Sequence, residues 1–193
     1  MARGKVFNHD HVVGKAMEVF WSKGFEATSI QDLVDAMGIN RGSIYDTFGD
    51  KSGLFTAALE RYMATSPVTT LIDSAETAEP RPAIEQFIRN QVDFCCAPGG
   101  QRGCFMINSL TEMGSCNGHI ATLLGATLSR LEQALYTLIR RGQETGDISP
   151  WRDARALARS LVATVQGIKA LAKVRPGRDA LNDIAHMALA HLD

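Results

Sequence analysis

The chain has 193 residues, 45% of them apolar, a formal charge of −1 and a pI near 6.5. That is apolar material for one large domain or two small ones, and it argues against disorder as the main state. The charge balance also argues against a protein that holds nucleic acid by bulk positive charge.

The opening stretch MARGKVFNHDHVV carries charge without an apolar h-region, so no signal peptide is expected. No run approaches the ~18 apolar residues of a membrane span. The expectation is a soluble, cytoplasmic protein with no membrane partner. Cys95, Cys96, Cys104 and Cys116 are too few for a disulfide scaffold and lack paired C-x2-C knuckles. Reduced thiols are expected.

The first predicted helix runs from about Asp10 to Lys23, with Val13, Ala16, Met17 and Phe20 at helical spacing and Gly24 as its stop. The second starts at Thr28, where Gln31 completes a capping box, and buries Ile30, Leu33, Val34 and Met37. Gly38 supplies the turn and Asn40 caps a third helix with Ile44, Tyr45 and Phe48. Asp50 caps a fourth, from Lys51 to about Thr65. Ser66 to Pro82 is less regular, with room for one short helix. Further helices are predicted from Pro82 to Ala97, from Cys104 to Glu112, and from about Ile120 to Gly146. Ser149-Pro150 reads as N-cap and N1 of a helix to Val174, and the last runs from Arg178 to Leu192. No period-2 strand pattern is present. The predicted fold class is all-α, with a compact three-helix N-terminal domain over 1–55 and a larger helical domain over 56–193.

Residues 28–51 carry the chemistry. Helix, Gly-containing turn and helix fit a helix-turn-helix, whose second helix enters the DNA major groove. Ile44 and Phe48, four apart, face the core, which leaves Arg41, Ser43, Tyr45, Asp46 and Thr47 at or near the outer surface. Short polar groups and a guanidinium suit base edges and phosphates. Lys51 begins the next helix, where its ammonium and free backbone N–H groups can hold a phosphate, and Thr28 or Ser29 adds a hydroxyl. The alternative is a plain solvated helix face. Residues 1–55 hold six Lys and Arg against seven Asp and Glu, a balance of −1, so binding must depend on local placement.

The stretch AMEVFWSKGFEATSIQDLVDAMGINRGSIYDTFGDKSGLF closely resembles the N-terminal DNA-binding domain of the TetR family of bacterial transcriptional regulators. The helix-Gly-aromatic entry, the Thr28-Ser29 start, the Gly38-Ile39 turn, Ile44-Tyr45, Phe48 and Lys51 carry the match. The resemblance implies a homodimer, an inverted-repeat operator in double-stranded DNA, and a C-terminal pocket whose small-molecule effector releases DNA. It carries DNA-contact roles onto Arg41, Gly42, Ser43, Tyr45, Asp46, Thr47 and Lys51. Many members have His or an aromatic where this chain has Asp46 and Thr47. An Asp there must accept from a cytosine amino group or pair with Arg41 or Lys51.

An effector pocket is expected between the Lys51 helix and the long helix ending near Gly146, from Phe87, Met106, Ser109, Met113 and Gln166. Each of these also reads as core packing, and Gln166 as a dimer bridge. Cys104 follows GGQRG at a helix start, where Arg102 and backbone N–H groups favour a thiolate, so it is a sensor thiol or a small buried residue. A Cys104-dependent enzyme is the rival class, without an evident His partner. The five His offer no i, i+4 pair, and no P-loop, G-x-S-x-G or G-x-G-x-x-G occurs, so no metal, cofactor or catalytic residue is assigned. Dimer contacts are expected from Ala154, Ala158, Leu161, Val165 and Ile168 in one helix and Ile184, Met187 and Ala188 in another.

Overall fold

The computed structural model describes residues 7–113, 118–174 and 177–193. Cys116, expected as a loop thiol, lies outside them. The described residues form ten α-helices and no strand: α1 (His9–Lys23), α2 (Ile30–Met37), α3 (Arg41–Phe48), α4 (Lys51–Ala64), α5 (Pro67–Ser74), α6 (Pro80–Cys96), α7 (Phe105–Met113), α8 (Gly118–Thr145), α9 (Ala154–Ala172) and α10 (Arg178–Leu189). None is long and apolar enough to cross a membrane.

Helix α6 begins at Pro80, two residues before the expected Pro82, and two other starts differ from expectation for reasons visible in their hydrogen bonds. The cap of α2 is Ser29, not Thr28: Ser29 Oγ accepts from Asp32 N at 3.1 Å, and Asp32 accepts from Ser29 N at 2.9 Å. Thr28 is drawn inward instead. It is 1% exposed and its hydroxyl donates to Gly24 O at 2.6 Å, which closes the turn after α1. Ser149-Pro150 does not begin α9, which is capped by Asp153. Gln143 Nε2 donates to Ser149 O and Arg152 O, and Ser149 N donates to Leu192 O, so this segment is tied to α8 and the C-terminus.

Buried side chains fall into two clusters. One joins α1–α4 to α7 and the start of α8 through Phe20, Leu33, Ile44, Phe55, Phe105, Met113, Ile120 and Leu124. The other joins α5, α6, the rest of α8, α9 and α10. Phe55 meets Phe20 and Phe105 edge-on at 4.9 and 5.6 Å. Burial of each such ring contributes about 1.5–3 kcal/mol, so α7 is held firmly to the N-terminal helices across the expected boundary at 55/56. The α9 stripe Ala154, Ala158, Leu161, Val165 and Ile168 is buried within one protomer, as is Ala188 of α10, which corrects their assignment to a dimer surface. Apolar spacing marks a buried face without saying what buries it. The outer faces of these helices carry Ser160, Ala163, Leu171 and Met187.

Candidate nucleic-acid interface and the cavity behind it

The second helix of the pair is short: a side chain that sequence reading anticipates fixes its start, and the backbone N–H of Gly49 closes its end on Tyr45 O. Gly38 takes φ 67° and ψ 24°, the left-handed turn glycine allows at little cost. Asn40 Oδ1 then accepts from Ser43 N at 2.8 Å, a cap that contributes about 1 kcal/mol. Ile44 is fully buried and Phe48 packs against the same cluster. That leaves Arg41, Gly42, Tyr45, Asp46 and Thr47 exposed, with Ser43 half-buried beside them.

Arg41 and Tyr45 form a unit one turn apart. Arg41 Nη2 donates to the Tyr45 hydroxyl at 3.3 Å, and the guanidinium lies 5.6 Å from the ring centroid. Lys51 Nζ sits 4.4 Å from the centre of the Phe25 ring, which holds the ammonium at the start of α4. Asp46 therefore pairs with neither Arg41 nor Lys51. Asp50 caps α4 by accepting from Gly53 N at 2.8 Å. Gly53 was missed in the sequence: a Cβ there would lie 2.0 Å from Phe48 O, so α3 and α4 close up only on glycine. Ser29 is exposed, with its hydroxyl also donating to Asp32 at 2.8 Å. Thr28, being buried, has no hydroxyl to offer a phosphate. The Lys23 ammonium, 2.6 Å away, and the Ser29 donors hold the Asp32 carboxyl down to about 2.

Two ties bind this module to the helices behind it. Glu112 of α7 accepts from Phe25 N at 2.9 Å and Glu26 N at 2.8 Å, fixing the turn that precedes α2. A Cβ on Gly24, whose φ is 83°, would strike the same carboxylate at 2.8 Å. Trp21 of α1 donates from Nε1 to Gly103 O at 3.1 Å and carries the Arg102 guanidinium 4.0 Å above its ring. Arg102 also meets Glu18 at 2.6 Å.

Arg102 is thus turned towards α1, and Cys104 is 4% exposed, receiving a weak bond from the Tyr62 hydroxyl at 3.7 Å. The expected setting of a thiol faced by Arg102 is absent, and Cys104 matches the alternative expectation of a small buried residue. Burial, first, and the adjacent Cys104 together push the Tyr62 hydroxyl far above its usual range.

A mainly apolar cavity of about 150 Å³ lies behind the N-terminal module, walled by Met17 and Trp21 of α1, Tyr62 of α4, Thr65, Ser66 and Pro67 at the α4–α5 junction, Gln91 and Phe94 of α6, and Lys169 of α9. None of the residues expected to form a pocket lines it. Phe87 borders a surface groove between α5 and α6. Ser109 borders a polar cleft of about 320 Å³ with Arg102, Asn108, Glu112 and Lys173, and its hydroxyl is engaged by Phe105 O. Cys104, Met106 and Met113 are core residues, and Gln166 is half-buried with Oε1 lacking a hydrogen-bond donor. Helical periodicity locates apolar faces, and it does not locate the place where facing side chains fail to meet. One signal was available: Lys169 stands four residues after Val165 on an otherwise apolar stripe.

Residues 13–58 match the family model described as bacterial regulatory proteins, tetR family, and residues 80–188 match that of the tetracyclin repressor-like C-terminal domain. The chain is 33% identical to the HTH-type transcriptional repressor ComR of Escherichia coli strain K12, over 97% of this chain and 90% of that protein. It is 31% identical to an uncharacterized HTH-type transcriptional regulator, YezE, of Bacillus subtilis strain 168, over the full length of both. Among solved structures, a cysteine-substituted TetR-family regulator CifR in complex with 26-bp operator DNA superposes with a TM-score of 0.83 at 27% identity, covering 99% of this chain and 100% of that one.

Proposed function

The chain belongs to the tetR family of bacterial regulatory proteins and is a DNA-binding transcriptional regulator, and on that premise we propose a dimeric repressor released by a small molecule. The observation that carries the DNA assignment is the exposed face of α3, with Arg41, Ser43, Tyr45, Asp46 and Thr47 presented on a helix capped at both ends. Arg41 reads a base edge, while Lys51 and the first backbone N–H groups of α4 hold a phosphate. The outer faces of α9 and α10, around Gly167 and Met187, meet a second copy about a two-fold axis. The two α3 helices then address half-sites about 34–36 Å apart or modestly further.

The effector site in this reading is the cavity at Trp21, and not the residues chosen from the sequence. Its support is continuity: Trp21 and Met17 belong to α1, which packs on the DNA-reading helices, while Gln91 and Lys169 belong to the helices behind. An occupant that prefers one arrangement of α1 against α4 and α6 shifts the DNA-competent population by its difference in affinity. Selection of bound sequences from a random DNA pool tests the reading. The expected product is an inverted repeat; enrichment of no palindromic sequence would overturn it.

A further inference from the structure

Lys169 occupies an unusual place. It is 5% exposed, on the buried stripe of α9, and lines the aromatic cavity. No carboxylate pairs with it and no hydrogen bond engages it among the described residues. Its charge is felt inside: burial raises the Cys95 thiol above its ordinary value, and the Lys169 ammonium opposes that rise. A lysine on a buried stripe with no counter-charge beside it leaves its amine free to meet an anion brought into the cavity, where apolar walls make the attraction stronger than in bulk water. Gln91, 2% exposed, stands on the facing helix with its amide nitrogen turned to Phe87 O at 3.4 Å. The other walls are Met17, Trp21, Tyr62 and Phe94, with Thr65, Ser66 and Pro67 at the α4–α5 junction.

The geometry points to a compact monocarboxylate as the occupant of this cavity, its carboxylate on Lys169 and its apolar body between Trp21, Tyr62 and Phe94. Size follows from volume: an apolar cavity of about 150 Å³ accepts a benzene-sized guest. Benzoate and short branched or cyclic aliphatic acids are of that class. A polar head on the Lys169 amine fixes orientation while the rings supply contact area. The inference rests on reading the cavity as the effector site.

Calorimetry and thermal shift on the full chain, without DNA, test it. The probes are benzoate, cyclohexanecarboxylate and isobutyrate, each beside its neutral alcohol. The expected result is that at least one acid binds and raises Tm, with its alcohol weaker by about tenfold or more. Lys169→Met keeps the length of the side chain and removes the charge. It should fold with an unreduced Tm, lose the acid by about tenfold or more, and keep or gain the alcohol. Acids and alcohols binding alike, no acid binding at millimolar concentration, or undiminished acid affinity in Lys169→Met overturns the inference. So does capture of benzaldehyde on Lys169 by borohydride without acid binding, which makes the amine a nucleophile. Because binding is read without DNA, an acid that binds through Lys169 yet leaves the operator complex intact counts against the regulatory reading alone.

Discussion

Arg41 and Lys51 make different kinds of contact, and substitution separates them. Arg41→Ala should weaken the operator complex by about 1–3 kcal/mol and relax sequence preference at one position per half-site. Lys51→Ala should weaken all sequences alike and lower the slope of log affinity against log salt by about one unit per half-site. Gel shifts across a salt series read both effects, and unchanged affinity in both variants would remove the helix-turn-helix assignment. The thiols give a second residue-scale test. Cys95 and Cys104 are buried while Cys96 is half-buried. Brief alkylation followed by peptide mapping should label Cys96 ahead of both. Faster labelling of Cys104 would restore it as a sensor.

Among the elements, the α3 helix was legible because everything that defines it is local: Gly38, Asn40, and the four-residue spacing of Ile44 and Phe48. The start of α2 was misplaced by one residue because Thr28 and Ser29 are equally good caps in isolation. Only the contact with Gly24 O decides which hydroxyl turns inward. The start of α9 was lost in the same way, since Gln143 and Leu192 claim the loop from a distance. The cavity residues come from five different helices, and no spacing relates them. Glu112 belongs to that long-range class: it is the α7 side chain that holds the turn before α2, which makes it the contact to test for transmission to α3. Glu112→Gln retains an acceptor and should keep the fold, while Glu112→Ala strands two N–H donors at a cost of about 1 kcal/mol. The expected signature is that Glu112→Ala blunts the release of DNA by an effector whose binding is unchanged. Wild-type release by Glu112→Ala would show that α7 transmits nothing through this contact.

At the scale of the molecule, the proposed dimer places the outer faces of α9 and α10 at its two-fold axis. Met187 is 61% exposed, and a Cβ on Gly167 meets nothing within 4 Å inside the protomer. Gly167→Arg therefore leaves the fold intact and should obstruct close approach of a second copy. Sedimentation should show a monomer at micromolar concentration, with operator affinity lost through the missing half-site. A variant that stays dimeric would move the two-fold axis elsewhere. The chain has two tryptophans, and they occupy opposite environments: Trp151 is 91% exposed, whereas Trp21 is packed between Arg102, Phe94 and Tyr62 at the cavity wall. The protein thus carries its own optical probe. With Trp151→Phe, the remaining indole emission comes from the cavity wall alone, and its wavelength and intensity should titrate with occupancy while the DNA is still bound.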